Sequence, residues 1–321
     1  MKKNLAKHLK EFARLWGGFR ASRVVLTANN FAVFEHLRTP ATTNDAAKAV
    51  GLDPRATEIM LDALTALGLL KKTGNKYRNT EIARQFLLRD SPWYQGDMLR
   101  HADSLWNSWS GLDQIVRSGL PNRSGSRDHE SFIKAMHNNA VFLAPDVVKA
   151  IDLRGVKKAL DLGGGPGTYS MELARKGIAV TLFDLPNTVE IAEKLIADSG
   201  DRHIDFIRGD FYSDEFGSGY DLVFISQIFH SLSADDSLLL LKRARDAMNP
   251  KGTIAVHEFL LEKNRASPVP GALFSVNMLV NTTSGRSYTP QEVKAWLLQT
   301  GFRGIREKVL SDTVVLTGKR S

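Results

Sequence analysis

The sequence predicts an α/β protein with a Rossmann-like, mostly parallel sheet in its C-terminal two thirds, preceded by an all-α and winged-helix domain. After residue 155, apolar runs alternate with helical segments, and a glycine cluster, ALDLGGGPGTYS, follows the first run. Asp184 ends the next run, 21 residues after Gly163. This βαβ pattern predicts a nucleotide site, because glycines let the backbone approach a ligand and the acid can accept from ribose hydroxyls.

Composition limits the class of protein. A chain of 321 residues allows two domains with sizeable cores, and 43% hydrophobic with 24% charged residues is ordinary for a soluble protein. The sequence has no cysteine, which excludes disulfides, thiolate zinc sites and cysteine nucleophiles. It shows neither a membrane-length apolar run nor a secretory signal, so we expect a cytoplasmic protein with no membrane partner.

The formal charge of +8 is concentrated near the N-terminus, where seven basic residues stand against the single acid Glu11 in the first 24 positions. A polyanion partner would need a basic surface. Because the excess is local, we interpret it as the solvated face of a helix and expect no nucleic-acid partner.

Residues 1–100 are predicted to form a helical and winged-helix domain. Helices fill residues 1 to about 40, after which Thr43 or Asn44 can cap a short helix that ends at Gly51. Pro54 suits the first turn of a second helix. The Gly74-Asn75 pair then predicts a hairpin between the following strands, Leu70–Thr73 and Lys76–Thr80.

A winged helix is typical of DNA recognition or of a protein–protein module. The helix that would enter the major groove, Pro54–Leu67, carries Arg55 against Glu58 and Asp62. Phosphate neutralisation dominates DNA affinity, so a net acidic recognition helix argues against DNA binding.

Residues 101–321 are predicted to form the ligand-binding domain, with a helical substrate cap at 101–153 whose loop Ser118–Asp128 could form the edge of a lid. The predicted strands are 157–162, 178–184, 203–208, 220–226, 252–260, 305–310 and 313–317. The predicted helices between them are 167–176, 187–199, 235–248 and 290–301. Because only Ser311-Asp312 joins the last two strands, this seven-stranded sheet must end in an antiparallel hairpin.

The glycine pattern favours S-adenosylmethionine over a dinucleotide. It reads G-x-G-x-G at Gly163, Gly165 and Gly167, with Thr168 in the place of the last glycine of G-x-G-x-x-G. Pro166 removes an N–H that a pyrophosphate cradle would use. At the next strand end, Gly209-Asp210-Phe211 offers a carboxylate for an adenine amino group and a ring for the adenine face.

The fourth strand delivers His230 just past its carboxyl end, and the fifth carries Glu258. Methyl transfer to a hydroxyl needs a base, and an imidazole with an ordinary pKa near 6.5 can take the proton of a phenol with a pKa of about 10. Glu258 could hold the imidazole in the required tautomer. A loop histidine and an ordinary strand-end carboxylate remain the alternative interpretation.

The motifs LDLGGGPG, FDLP and GDF, with the histidine after strand four and the glutamate of VHEFLL, resemble the two-domain S-adenosylmethionine-dependent O-methyltransferases of the caffeate/acetylserotonin type. The resemblance covers nearly the whole chain. It implies a class I methyltransferase fold, a homodimer formed through the N-terminal domain, S-adenosylhomocysteine as product and no metal. The site residues that it implies are the base His230 with Glu258, cofactor contacts at Gly163, Asp184, Asp210, Phe211 and Ser226, and substrate-pocket positions Phe132, Met136, Met278 and Thr282.

This chain departs from the family pattern beside the base. Ser231-Leu232 replaces the Asp-Trp pair of plant members, and Ser226 stands where lysine is usual. Ser287 replaces a second acid, and the next residue, Tyr288, could supply a hydroxyl or could simply pack. The loss of the flanking acid at Ser287 bears on base catalysis and not on cofactor binding.

The sequence therefore predicts in-line methyl transfer to a hydroxyl, phenolic by expectation, of a small aromatic or polycyclic molecule. A C-methyltransferase or a cofactor-assisted hydroxylase would keep the glycine turn and need no His230. A DNA-binding regulator is a further alternative. An NAD enzyme is disfavoured by the G-x-G-x-G spacing and by the terminal hairpin.

Overall fold

The computed structural model describes residues 2–122, 128–200 and 204–321. The chain divides into two compact units, one ending at Asp103 and the other beginning at Ser104. The middle of the loop considered as a lid edge, residues 123–127, lies outside the described residues. In the described part of the chain, no helix combines the length and the apolar character needed to cross a bilayer.

The first unit is helical with a small antiparallel sheet. Its helices are α1 (Lys2–Asn30), α2 (Thr43–Val50), α3 (Pro54–Ala66), α4 (Glu81–Leu87) and α5 (Gly96–Ser104), with a 3-10 helix at Val33–Leu37. Its strands are β1 (Ala41–Thr42), β2 (Leu70–Thr73) and β3 (Lys76–Asn79), in the spatial order β1-β3-β2.

The predicted helix–turn–helix and hairpin are present, but the predicted N-cap of α2 is wrong. Thr42 caps the helix, not Thr43 or Asn44, because its side chain accepts from the N–H of Asp45 while the Asp45 carboxylate accepts from the Thr42 N–H. This reciprocal pair is a capping box that satisfies two backbone donors at once.

The second helix of the winged helix is fastened to the hairpin. Asp62 on α3 accepts from the Tyr77 hydroxyl at 2.7 Å and from the Lys72 ammonium group at 2.7 Å. Both partners belong to the hairpin strands, and the Tyr77 ring is buried in the unit's core against Leu61 and Leu64. Asp62, one of the two acids that argued against DNA binding, therefore connects α3 to the hairpin.

Helix α1 exposes a row of large apolar side chains. Leu5, Leu9, Phe12, Leu15 and Trp16 each keep more than half of their surface exposed. Such a contiguous apolar face on a single chain marks an interaction surface.

The second unit is a seven-stranded sheet wrapped by helices. Its helices are α6 (Trp106–Ser110), α7 (Leu112–Ser118), α8 (His129–Lys149), α9 (Thr168–Ala174), α10 (Pro186–Ser199), α11 (Ala234–Ala247), α12 (Val269–Asn281) and α13 (Pro290–Gln299). Its strands are β4 (Lys158–Leu162), β5 (Ala179–Asp184), β6 (Ile204–Arg208), β7 (Tyr220–Ser226), β8 (Met248–Phe259), β9 (Phe302–Leu310) and β10 (Thr313–Arg320).

The spatial order of the strands is β6-β5-β4-β7-β8-β10-β9. The first five are parallel, and β10 lies antiparallel to both β8 and β9. The antiparallel pairing of β10 with β9 was predicted from their two-residue connection. One hydrophobic core packs α11 and α13 against one side of the sheet, and the other packs α8, α9 and α10 against the opposite side. Helix α12 is not among the predicted elements, because its segment is almost uniformly apolar and shows no helical periodicity.

Candidate active site

The site lies where the strand order reverses, between the adjacent parallel strands β4 and β7. The carboxyl end of β4 leads into the glycine turn, and the carboxyl end of β7 leads into a 3-10 helix, Phe229–Ser231, that carries His230. Ligands of open α/β sheets bind at such a switch point, because the loops after the two strands leave it in opposite directions and open a crevice.

The glycine turn is shaped by its backbone. Gly163, Gly165 and Gly167 have φ angles of +73°, +54° and +75°, in the left-handed region where a side chain is strained. A Cβ at Gly163 would stand 2.6 Å from the Ile228 side chain, whereas a Cβ at Gly165 would meet nothing within 4 Å. The turn thus packs closely on the segment that carries His230 and leaves open space beside Gly165.

Asp184 lies at the end of β5 and is tied to the glycine turn. Its Oδ2 accepts from the Gly165 N–H at 2.8 Å, and its Oδ1 accepts from the Leu185 N–H at 2.7 Å. Each oxygen of an ionised carboxylate has two lone pairs, so each retains one for a further donor. Two acceptor positions beside an open glycine fit the vicinal hydroxyls of an S-adenosyl nucleoside.

Burial raises the pKa of Asp184, and the N–H groups of Gly165 and Leu185 act against that rise by stabilising the charged form. Burial therefore favours the neutral form of Asp184, whereas these two hydrogen bonds favour its ionised form.

Asp210 and Phe211 follow β6 at the same edge of the sheet. Asp210 is exposed, with its Oδ1 accepting from the Tyr212 N–H at 2.9 Å. The half-buried Phe211 ring lies 4.7 Å from the Tyr212 ring. Both predicted adenine contacts thus stand at the edge that presents Asp184.

His230 and Glu258 form a direct pair. The imidazole Nδ1 lies 2.8 Å from Oε2 of Glu258, and the other carboxylate oxygen accepts from the Phe229 N–H at 2.8 Å. The His230 side chain is 12% exposed and that of Glu258 is 5% exposed. Because an ionised carboxylate only accepts, Nδ1 carries the proton and Nε2 is left with a lone pair.

Aromatic rings surround this pair. The Phe274 ring stands edge-on to the imidazole with centroids 4.8 Å apart, and Phe259 lies 5.9 Å from the imidazole and 4.0 Å from Phe274. Sequence reasoning missed both phenylalanines. Phe274 lies on the unpredicted helix α12. Phe259 directly follows Glu258 on β8, where successive side chains alternate between faces, so nothing in the sequence indicated that both would lie near the imidazole.

Ser226 contacts the buried His257, which sequence reasoning also missed. Its hydroxyl lies 2.9 Å from Nδ1 of His257, and the Tyr169 hydroxyl lies 3.5 Å from the same nitrogen. Burial lowers the pKa of His257 to about 4, so the ring is neutral at pH 7. Ser226 thus lies at the carboxyl end of β7, with its hydroxyl engaged by His257 on the neighbouring strand.

The four predicted substrate positions lie on helix α8 and on or directly after helix α12. Phe132 and Met136 are one turn apart on α8, which packs on α9 at the glycine turn. Met278 lies on α12, which packs on the 3-10 helix of His230, and Thr282 follows directly after α12. The Thr282 hydroxyl donates to the Met278 carbonyl at 2.7 Å, and the extended backbone of Thr282 ends the helix.

The hydroxyl groups of Ser287 and Tyr288 both donate to backbone carbonyls. The Tyr288 ring is buried and its hydroxyl donates to the Leu232 carbonyl at 2.8 Å, so the residue packs. The Ser287 hydroxyl donates to the Gly271 carbonyl at 3.0 Å. Neither hydroxyl is directed to the imidazole.

No group of three or more His, Cys, Asp or Glu side chains suited to a metal ion occurs within the ranges that the structure describes. One buried acid had not been singled out from the sequence: Asp161 on β4 lies directly beneath the glycine turn and is fully buried.

A five-stranded parallel sheet extended by an antiparallel strand pair, with a glycine turn and an adjoining carboxylate at its switch point, is the architecture of the Rossmann-like class of S-adenosylmethionine-dependent methyltransferases. Residues 104–303 match the family model of the O-methyltransferase domain, and residues 13–89 match that of the O-methyltransferase dimerisation domain. The chain therefore belongs to the O-methyltransferase family and uses S-adenosylmethionine as its methyl donor.

Individual relatives agree with this assignment. The chain is 32% identical to a 3-hydroxy-5-methyl-1-naphthoate 3-O-methyltransferase of Streptomyces sahachiroi, over 90% of this chain and 88% of that protein. It is 32% identical to the acetylserotonin O-methyltransferase of Bos taurus, over 93% and 92%. The crystal structure of human N-acetylserotonin methyltransferase with S-adenosylmethionine matches with a TM-score of 0.89 and 28% identity, over 99% and 98%.

Proposed function

We propose that this O-methyltransferase methylates a phenolic hydroxyl of a small aromatic or polycyclic molecule, with His230 as general base and Glu258 as the group that orients it. The observation that carries the proposal is the hydrogen bond of 2.8 Å between Nδ1 of His230 and Glu258. It fixes the tautomer in which Nε2 can accept a proton.

Glu258 does more than fix the tautomer. When Nε2 takes the phenolic proton, the ring becomes a cation, and the nearly buried carboxylate stabilises it at short range. The same carboxylate holds the Phe229 N–H, so the imidazole and the turn that carries it share one anchor.

The rings of Phe259 and Phe274 support an aromatic acceptor. Flat apolar walls beside the base favour a planar ring through offset or edge-on contact, and they exclude water from the reacting oxygen. The relatives named for a hydroxynaphthoate and for acetylserotonin act on molecules of this general kind.

Bound S-adenosylmethionine supplies an electrophilic methyl group on a sulfonium ion. We assign the backbone at Gly163, Gly165 and Gly167 to close packing against it. We assign Asp184 to the ribose hydroxyls, Asp210 and Phe211 to the adenine, and Ser226 to a further polar contact. Met136, Phe132, Met278 and Thr282 are assigned to the acceptor pocket. The open space at Gly165 and the spare lone pairs of Asp184 support these assignments.

The N-terminal unit forms a homodimer in this proposal. Its match to a dimerisation domain and the exposed apolar row on α1 support a second copy of the chain as the partner. We therefore regard the winged helix as a protein–protein module.

The test is methyl transfer from S-adenosylmethionine to a panel of phenols, with product structure determined by NMR to separate O-methylation from C-methylation. We expect His230→Ala to lower kcat by roughly 10²–10⁴-fold. The dissociation constant for S-adenosylhomocysteine, measured by calorimetry, should stay within twofold.

Ser231→Ala is the matched control, because that neighbouring hydroxyl donates to the Ile228 carbonyl and has no role in the proposed chemistry. A His230→Ala variant that methylates phenols as fast as the parent would exclude His230 as the base. A C-methylated product would overturn the assignment of the acceptor.

A further inference from the structure

Arg243 on helix α11 binds the loop that follows β6. Its Nη1 donates to the Phe211 carbonyl at 2.5 Å, and its Nη2 donates to the Asp214 carbonyl at 2.6 Å. These partners lie 32 and 29 positions away in the sequence, so the two bonds join separate elements of the fold. A guanidinium group presents its N–H donors in a rigid planar fork, which suits two acceptors at fixed positions.

The guanidinium group also lies against a buried ring. Its Cζ is 4.7 Å from the centroid of Phe216, which is a cation–π distance. Phe216 is 3% exposed and meets the ring of Phe183 edge-on, with centroids 4.9 Å apart. Phe183 directly precedes Asp184 on β5. Arg243 therefore rests on a packed ring pair beside the strand end that carries Asp184.

The two carbonyls that Arg243 binds belong to a turn, residues 210–214, that is also bonded internally. The Asp210 N–H donates to Oδ2 of Asp214 at 2.8 Å, and the Asp214 N–H donates to the Asp210 carbonyl at 2.8 Å. The Tyr212 N–H donates to Oδ1 of Asp210 at 2.9 Å. Among the described residues, none donates to Oδ2 of Asp210, which leaves that oxygen as an acceptor for a ligand.

We propose that Arg243 is a positioning residue for adenine recognition, because its guanidinium group holds the 210–214 turn in the conformation in which Asp210 and Phe211 meet the base. The inference rests on the assignment of Asp210 and Phe211 to the adenine made under Proposed function. The bond to the Phe211 carbonyl fixes the backbone that carries the ring. The bond to the Asp214 carbonyl fixes the residue whose side chain closes the turn on Asp210.

The turn needs support from outside because it is a short loop with an exposed acid. Asp210 is exposed and lies outside regular secondary structure, where bonds within one turn give little resistance to motion. A ligand that must order such a turn loses part of its binding free energy to that ordering. Two charge-assisted hydrogen bonds from α11 order the turn in advance, so the base meets a preformed site.

The test compares two ligands by calorimetry. One is S-adenosylhomocysteine, and the other is its analogue with unsubstituted purine in place of adenine, which lacks the 6-amino group. Loss of a hydrogen bond to a charged group weakens binding by about tenfold or more, so the parent should prefer adenine by at least that factor. We expect Arg243→Met, which keeps an apolar stem and removes the donors, to reduce this preference to about threefold or less.

Arg243→Lys is a milder second variant. It keeps the positive charge, but a single ammonium group lacks the planar fork, so the preference should also fall to about threefold or less. Lys242→Met is the matched control, because Lys242 is the exposed neighbour on α11 and makes no hydrogen bond to the turn in the described part of the chain. It removes one positive charge and neither bond, and it should keep the parent's preference. General loosening of the fold would weaken both ligands equally and leave the preference unchanged.

If either Arg243 variant keeps the parent's preference within about twofold, the inference is overturned while Asp210 remains the adenine acid. An equal loss of preference in Lys242→Met would overturn it as well, because the effect would then follow net charge. A parent that binds both ligands equally would overturn the adenine assignment and the inference together. Phenol methylation by the parent, measured separately, distinguishes these results from failure of the proposed reaction.

Discussion

The buried acid beneath the glycine turn predicts an unusual dependence of stability on pH. Asp161 is fully buried, and its Oδ2 accepts from the Ser170 hydroxyl at 2.6 Å. Its Oδ1 makes no hydrogen bond to any described residue. Burial raises the pKa of Asp161 from 3.8 to about 7, and the negative charge of Asp184 adds to that rise.

The free energy of unfolding changes with pH because the folded and unfolded states bind the Asp161 proton differently. Between pH 4 and 7 the folded chain keeps Asp161 protonated while the unfolded chain has released that proton. The contribution of Asp161 to the free energy of unfolding therefore falls as pH rises, and it is flat above pH 7. A pKa of about 7 against 3.8 corresponds to about 4 kcal/mol over the whole range.

Asp161→Asn removes the titrating group while keeping an amide that can bond Ser170. Urea unfolding of parent and variant at pH 5, 6, 7 and 8 isolates the effect, because other titrating groups cancel in the difference. We expect the free energy of unfolding of the variant, relative to that of the parent, to rise by about 3 kcal/mol between pH 5 and 8. Ser170→Ala should keep the slope and extend it to higher pH, because that hydroxyl lowers the pKa of Asp161 in the folded chain. A difference in the free energy of unfolding between Asp161→Asn and the parent that stays constant within about 0.5 kcal/mol from pH 5 to 8 would refute the reasoning.

Four further substitutions have defined expectations. Glu258→Gln should lower kcat about 10²-fold with an unchanged dissociation constant for S-adenosylhomocysteine, because the imidazolium loses its counter-charge; a raised KM with full kcat would contradict this. Gly163→Ala should weaken calorimetric cofactor binding and lower Tm, since it adds a close contact to left-handed strain. Gly177→Ala, with φ of +80° and open surroundings, should cost about 1–2 kcal/mol of stability and leave binding intact. Tyr77→Phe should destabilise the first unit by about 1 kcal/mol in urea unfolding, because Asp62 loses a donor; an unchanged midpoint would argue against that bond.

The sheet was predictable because its strands are buried apolar runs separated by turn residues. The two-residue link at Ser311-Asp312 alone required the antiparallel end that the structure shows. The pairing of His230 with Glu258 was also within reach, since His230 follows the carboxyl end of β7 and Glu258 lies near the carboxyl end of the neighbouring parallel strand β8. The family resemblance indicated the same two positions.

What escaped prediction depends on contacts between distant segments. His129 and Thr188 are unremarkable in sequence, and only the packing of α8 on α10 brings them together. Phe274 was missed because an evenly apolar segment does not reveal which side of its helix faces a site. Thr42 caps the helix because it exchanges hydrogen bonds with Asp45. Thr42, Thr43 and Asn44 are all common capping residues, so the sequence alone did not distinguish among them.

The attachment of helix α8 has a consequence for altering this enzyme. His129 lies 3.1 Å from the Thr188 hydroxyl, and His137 lies 2.8 Å from the Thr168 hydroxyl. Positions 132 and 136, which we assign to the acceptor pocket, lie between these two contacts on α8. Side chains at the two intervening positions can therefore be exchanged to admit a larger or smaller acceptor while the helix backbone stays in place. A library confined to those positions would vary acceptor choice and leave the donor half of the reaction intact.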